Sequence, residues 1–216
     1  MLTLTRSEQS NPTGLNSEFE YRGEIFHINL AYDTVLSFYK LLDDKCFSDE
    51  EKVSIAFRMF FDDPTIHRYI DKNDDLKIRA FQEISRYINE DPYIHYDGQD
   101  QEVESNVASP KYYSFQQDAE AIYSSFYQQY GIDLLYQKQK MHWDQFKALF
   151  AGLGPDTYFM RIVRIRQEDI SKLEGKAQQE MIEAQQHYAL EDNQSQEAVQ
   201  DQFADFGNML MAIAKS

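Results

Sequence analysis

The chain has 216 residues, with 37 Asp and Glu against 21 Lys and Arg, for a net charge of −16. That charge opposes phosphate backbones and anionic membranes, while a hydrophobic content of 42% with 15 Tyr and 15 Phe excludes wholesale disorder. One cysteine excludes an intrachain disulfide, and eight Gly with five Pro are too few for an all-β sandwich.

The acid is uneven: residues 1–108 hold 22 acidic and 11 basic side chains, a balance of −11, and residues 109–216 hold 15 and 10, a balance of −5. No apolar run approaches the ~20 residues of a membrane span, and MLTLTRSEQS lacks the apolar core of a signal peptide. The expectation is a soluble, largely helical protein of a reducing compartment. Cys46 follows Asp43, Asp44 and Lys45, and neighbouring carboxylates oppose thiolate formation.

Residues 1–17, with Pro12 and Gly14, read as a polar lead-in. Phe19, Tyr21, Ile25, Ile28 and Leu30 around Arg22-Gly23 predict two short strands joined by a turn. Asp33 is expected to cap a helix carrying Val35, Leu36, Phe38, Tyr39, Leu41 and Leu42. Ser48-Asp49-Glu50-Glu51 is a capping box, opening a helix that runs to about Phe61 and stops before Pro64. The spacing of Leu76, Ala80, Phe81, Ile84, Tyr87 and Ile88 predicts a helix from Asp74 to Glu90. Residues 97–111 have no ring and no helical stripe, and read as an acidic linker.

From Ser114, the residues Phe115, Ala119, Ile122, Tyr123, Phe126 and Tyr130 share one helical face, and Gly131 stands where a left-handed cap is wanted. Residues 139–152 predict the next helix, with Trp143, Phe146, Leu149 and Phe150 inward. Residues 156–166 carry Phe159, Ile162, Val163 and Ile165; a longer helix is then expected over Ile170, Leu173, Ala177, Met181 and Tyr188. Val199, Phe203, Phe206, Leu210 and Ile213 are spaced four, three, four and three, a heptad-like seam. The fold class is therefore mainly α: a helical C-terminal part and a small α+β N-terminal part, a short β-hairpin plus helices. The expected domains are 1–96, the 97–111 linker, a helical domain over 112–190 and a C-terminal amphipathic helix over 191–216.

The search for chemistry is negative. Asp63/His67, Asp91/His95 and Glu183/His187 have helical spacing for a shared metal, but Pro64 and Pro92 interrupt two of the pairs and the third reads as a surface pair. There is no Gly-rich phosphate loop, no G-x-S-x-G and no H-E-x-x-H. Arg161, Arg164 and Arg166 form the one basic cluster, read as a polar helix face or as a contact for an anionic partner. The run of Tyr112, Tyr113, Tyr123, Tyr127, Tyr130 and Tyr136 fits core or interface packing better than base stacking. No enzyme, cofactor, metal, nucleic acid or membrane is expected.

One longer pattern is specific. Residues 113–126 read YSFQQDAEAIYSSF, followed by YGIDL at 130–134, MHWDQFKALFAGL at 141–153, DTYF at 156–159 and IVRIR at 162–166. This series resembles the bacteriophage gene product fifteen family of long-tailed phages and prophages of Gram-positive bacteria. The first part is similar more loosely, through Leu41-Leu42-Asp43-Asp44 and the Ser48–Phe61 helix. The linker and a polar stretch near 190–196 depart from it.

The resemblance implies a non-enzymatic tail assembly factor: a chaperone that binds the tape-measure protein and aids assembly of the tail-tube protein in the host bacterial cytoplasm. It leaves open a structural component of the virion. The acidic first half separately admits a DNA mimic acting on a host protein, and self-association is open. The residues expected to bind a partner are Phe115, Tyr123, Phe126, Trp143 and Phe146, with Phe203, Phe206, Leu210 and Ile213 of the C-terminal seam.

Overall fold

A computed structural model of the chain describes residues 18–61, 66, 74–89 and 112–191. The linker at 97–111, the Asp63/His67 and Asp91/His95 pairs and the seam at Phe203, Phe206, Leu210 and Ile213 lie outside the described residues. The chain divides into two compact units. The described residues of the first are 18–61, 66, 74–89 and 138–147; those of the second are 112–137 and 148–191. As expected, the described residues are mostly helical, with one small hairpin.

The first unit opens with β1 (Glu18–Tyr21) and β2 (Glu24–His27), paired antiparallel with Phe19 opposite Phe26 and Tyr21 opposite Glu24. Arg22 and Gly23 have φ of 52° and 83°, the two positive values that a two-residue type I′ turn needs. Phe19, Tyr21 and Phe26 face inward, whereas Ile25 is 62% exposed. Alternation along the strand forces that result: once Phe26 is inward its neighbour points out.

Helix α1 (Tyr32–Asp43) buries Val35 and Phe38 completely. Its cap is not Asp33 but Ala31, which offers no side-chain bond. The Asp33 carboxylate is already engaged, accepting from the Gln139 amide and from Gln139 Nε2, both at 2.8 Å. That contact belongs to a lacing of 138–143 along 29–34. The Tyr32 amide donates to the Met141 carbonyl at 3.0 Å, and the Trp143 amide to the Leu30 carbonyl at 2.7 Å. Gln139 sits at φ 59°, and its side chain also donates to Thr34 and accepts from Asn29.

Helix α2 (Asp49–Phe60) carries the predicted capping box: Ser48 Oγ accepts from the Glu51 amide and the Ser48 amide donates to Glu51 Oε2 at 2.9 Å. Lys52 Nζ donates to the Leu42 carbonyl at 2.8 Å, satisfying an orphan acceptor at the end of α1. Phe38 and Phe60 meet edge to face at 5.1 Å. Helix α3 (Asp74–Asn89) buries Leu76, Ala80, Phe81, Ile84, Tyr87 and Ile88, the stripe read from the sequence.

Helix α5 (Trp143–Ala151) crosses the division between the units after Lys147. In the second unit, α4 (Ala119–Tyr130) ends on Gly131 at φ 66°, the left-handed cap expected there. It starts later than Ser114, because residues 115–118 form a turn in which Asp118 accepts from the Ser114 amide at 2.9 Å. A 3₁₀ turn follows at Leu134–Gln137. Helix α6 (Tyr158–Gln167) is capped by Thr157 and packs on α4 through Phe159, Ile162 and Val163.

The buried Ser125 hydroxyl donates to Ala121 O at 2.7 Å and accepts from the Phe159 amide at 2.9 Å, so it satisfies the free amide at the start of α6. The single long helix expected after Gln167 is two pieces, a 3₁₀ turn at Ile170–Lys172 and α7 (Gly175–His187). Asp169 caps the turn through Ser171, and Gly175 at φ 59° breaks the path. Helix α7 buries no residue; Gln185 Nε2 holds it by donating to the Ile165 and Glu168 carbonyls.

Candidate functional site

The aromatic residues expected to meet a partner go to different places. Trp143 and Phe146 are core of the first unit, 4% and 1% exposed. Trp143 stacks on Phe146 at 5.5 Å, Phe146 stacks on Tyr32 at 5.0 Å, and Trp143 Nε1 donates to the Ile88 carbonyl at 3.1 Å. Phe126 is fully buried in the second unit, and Phe115 is half-buried against Phe150 at 5.3 Å. Tyr123 is half-buried near the open surface. The structure therefore groups Phe115, Tyr123 and Phe126 in one unit and Trp143 with Phe146 in the other.

What α4 leaves outside is a tyrosine patch. Tyr123 and Tyr127 are one turn apart and stack at 6.4 Å with 17° between their planes. Partial burial raises the Tyr123 phenol pKa, and the negative Asp133 carboxylate nearby adds to the rise. Asp133 Oδ1 also accepts from the amides of Leu135 and Tyr136 at 3.0 and 3.3 Å. One carboxylate thus fixes the 3₁₀ turn beside α4 and sets its two apolar side chains on the surface.

Tyr127 is 59% exposed, Leu135 64% and Tyr136 74%. A large ring usually buries about 150–250 Å², so these exposed side chains leave apolar area uncovered on the second unit. The sequence signal was the tyrosine run itself. Phe126 falls on the shared apolar face, and Tyr127, about 100° further round the helix, falls off it.

The arginine cluster does not form one basic patch. Arg166 turns inward: Nη1 and Nη2 donate to Asp118 Oδ2 and Oδ1 at 2.7 and 2.8 Å, with side-chain exposures of 7% and 4%. Arg166 also donates from Nε to the Tyr188 carbonyl at 2.6 Å and from Nη1 to the Tyr112 carbonyl at 2.9 Å. All of this reads as a buried clamp joining the start of the unit, α6 and the end of α7. Arg161 and Arg164 stay exposed.

The remaining titratable groups follow their surroundings. The Cys46 thiol is held above its ordinary value, chiefly by its hydrogen bond to Asp44. Burial pushes the Tyr113 phenol up to about 12. Burial also lowers His142, outweighing the opposing pull of Asp144. His142 Nδ1 accepts from the Asp144 amide at 3.1 Å, and among the described residues its Nε2 has no hydrogen-bond partner. Glu183 and His187 are exposed on α7. No group of three metal-ligating side chains occurs among the described residues, and no described helix is long and apolar enough to cross a membrane.

Neither the curated proteins nor the solved structures contain a match to the chain. The family described as Bacteriophage Gp15 protein matches it over residues 14–190, which spans both helical regions and the hairpin. The chain belongs to the Bacteriophage Gp15 protein family.

Proposed function

We propose that the chain is a non-enzymatic tail assembly factor of a long-tailed phage. It acts in the host cytoplasm as a chaperone that binds the tape-measure protein and aids assembly of the tail tube. The family gives the coarser role, a structural or assembly protein of a phage. The observation that supports the finer reading is the surface formed by Tyr127, Leu135 and Tyr136 beside Tyr123. A long helix with apolar stripes needs a surface that covers the stripe and still has wet edges, and tyrosine meets both demands at little side-chain entropy cost. The −16 charge keeps such a complex dispersed while its apolar stripe is covered.

The test is co-expression with a fragment of the cognate tape-measure protein. The fragment should become soluble and co-purify with the wild-type chain. The Tyr127→Ser/Leu135→Ser/Tyr136→Ser variant should keep its circular dichroism and lose the fragment. A fragment that stays insoluble with the wild-type chain, with nothing co-purifying, rules the proposal out.

A further inference from the structure

The first unit carries a groove of about 690 Å³ between the outer edge of β1 and the exposed stripe of α3. It lies within the about 300–1,000 Å³ of functional clefts. Its strand wall is Glu18, Phe19 and Glu20, and its helix wall runs from Asp75 through Ile78 and Arg79 to Tyr87.

The hairpin register decides what the strand offers. In a two-residue hairpin, the residues flanking the turn exchange hydrogen bonds, and pairs then alternate. Tyr21 with Glu24 and Phe19 with Phe26 are the bonded pairs. Glu18 and Glu20 therefore turn their amides and carbonyls away from β2. The Glu18 carbonyl shows the direction, because it accepts from Tyr87 Oη on α3 at 3.2 Å. The Glu20 amide and carbonyl point the same way. Among the described residues nothing bonds them outward.

Charge selects the occupant. The groove presents Glu18, Glu20, Asp75 and Glu83 against Arg79 and Arg86, a balance of −2. Both arginines are tied on the helix, Arg79 to Asp75 and Arg86 to Glu83. Exposed Glu20 has no such partner. A second copy of β1 laid antiparallel would set Glu18 against Glu20, or Glu20 against itself, and like charges directly opposite are destabilising.

We propose that this groove binds an extended segment of a partner protein by strand addition to β1, the segment carrying Lys or Arg at alternate positions and small apolar residues between them. The Glu20 amide and carbonyl supply main-chain bonds. Alternation puts the basic side chains on the Glu18 and Glu20 face and the apolar ones on the Phe19 face.

The probe is a blocked Lys-Val-Lys-Val-Lys-Val peptide, titrated into the full-length chain by isothermal calorimetry, with amide exchange read by mass spectrometry. It should bind at least about ten-fold more tightly than its Glu-Val counterpart. Binding should protect the Glu20 amide hydrogen from exchange, and Glu20→Gln should weaken binding and reduce its salt dependence. N-methylation of the peptide at alternate residues, tried on each edge, should abolish binding for at least one edge. No binding at millimolar peptide, equal binding of the acidic peptide, unchanged exchange at Glu20, or tolerance of methylation on both edges would each overturn the proposal.

Discussion

Arg166→Met is the sharpest probe of how the second unit is held together. The guanidinium makes two bonds to Asp118 and one each to the Tyr188 and Tyr112 carbonyls. Methionine is similar in bulk, so packing survives and the polar bonds do not. Asp118, 4% exposed, is left with the Ser114 amide as its donor. Both side chains are almost wholly out of water, so solvent screens the pair little. Removing one partner of such a pair costs about 3–5 kcal/mol, against about 0–1 kcal/mol for an exposed pair.

Urea unfolding followed by far-ultraviolet circular dichroism reads the loss. The single tryptophan, Trp143, lies in the other unit, so its fluorescence supplies a separate trace. Arg166→Lys should recover little, because an ammonium cannot reproduce the bidentate fork. Adding Asp118→Asn to Arg166→Met should cost less than the sum of the single changes, since the amide removes the stranded charge. A single-variant loss under about 1 kcal/mol would show that the clamp contributes no more than a surface pair and would refute this reasoning.

Three other outcomes are expected. Phe126→Ala should cost about 3–5 kcal/mol while Tyr127→Ser stays within about 0.5 kcal/mol, measured by the same unfolding curves, because one ring is core and its neighbour surface. Gly131→Ala should cost about 1–2 kcal/mol in thermal unfolding, purely from the left-handed backbone, since a Cβ there meets nothing within 4 Å; Gly131→Asn should cost less. His142 is lowered in the folded chain, so the unfolded state binds the proton first. Its contribution to stability should be full above pH 6.5 and decline as pH falls below that value, with a slope of at most about 1.4 kcal/mol per pH unit. The decline should be shallower in His142→Gln, read as the midpoint of urea unfolding across that range.

Local chemistry was legible in the residues themselves. The Ser48–Glu51 box, the Arg22-Gly23 turn, the Gly131 cap and the apolar stripe of α3 each depend on neighbours within four positions, and each stands where those neighbours direct. The family pattern over 113–166 was legible for the same reason, as a fixed order of short motifs. Other features needed partners distant in the chain. Asp33 has the residue type of a helix cap, but Gln139, 106 positions away, takes its carboxylate. Arg166 looked like part of a basic face until Asp118, 48 positions away, drew it inward.

The division of the aromatic residues is the same lesson. Periodicity determined that Phe126, Tyr127, Trp143 and Phe146 lie on helices. It also placed Phe126, Trp143 and Phe146 on the apolar faces, but not which unit each face would join, because that depends on partners distant in the chain. Tertiary structure spent Phe126, Trp143 and Phe146 on two cores and left Tyr127, Leu135 and Tyr136 in water. The outward Glu20 main chain is likewise invisible in a string of residues, since it depends on hairpin register, with the Glu18 carbonyl taken by Tyr87 of α3 and the Glu20 groups left open.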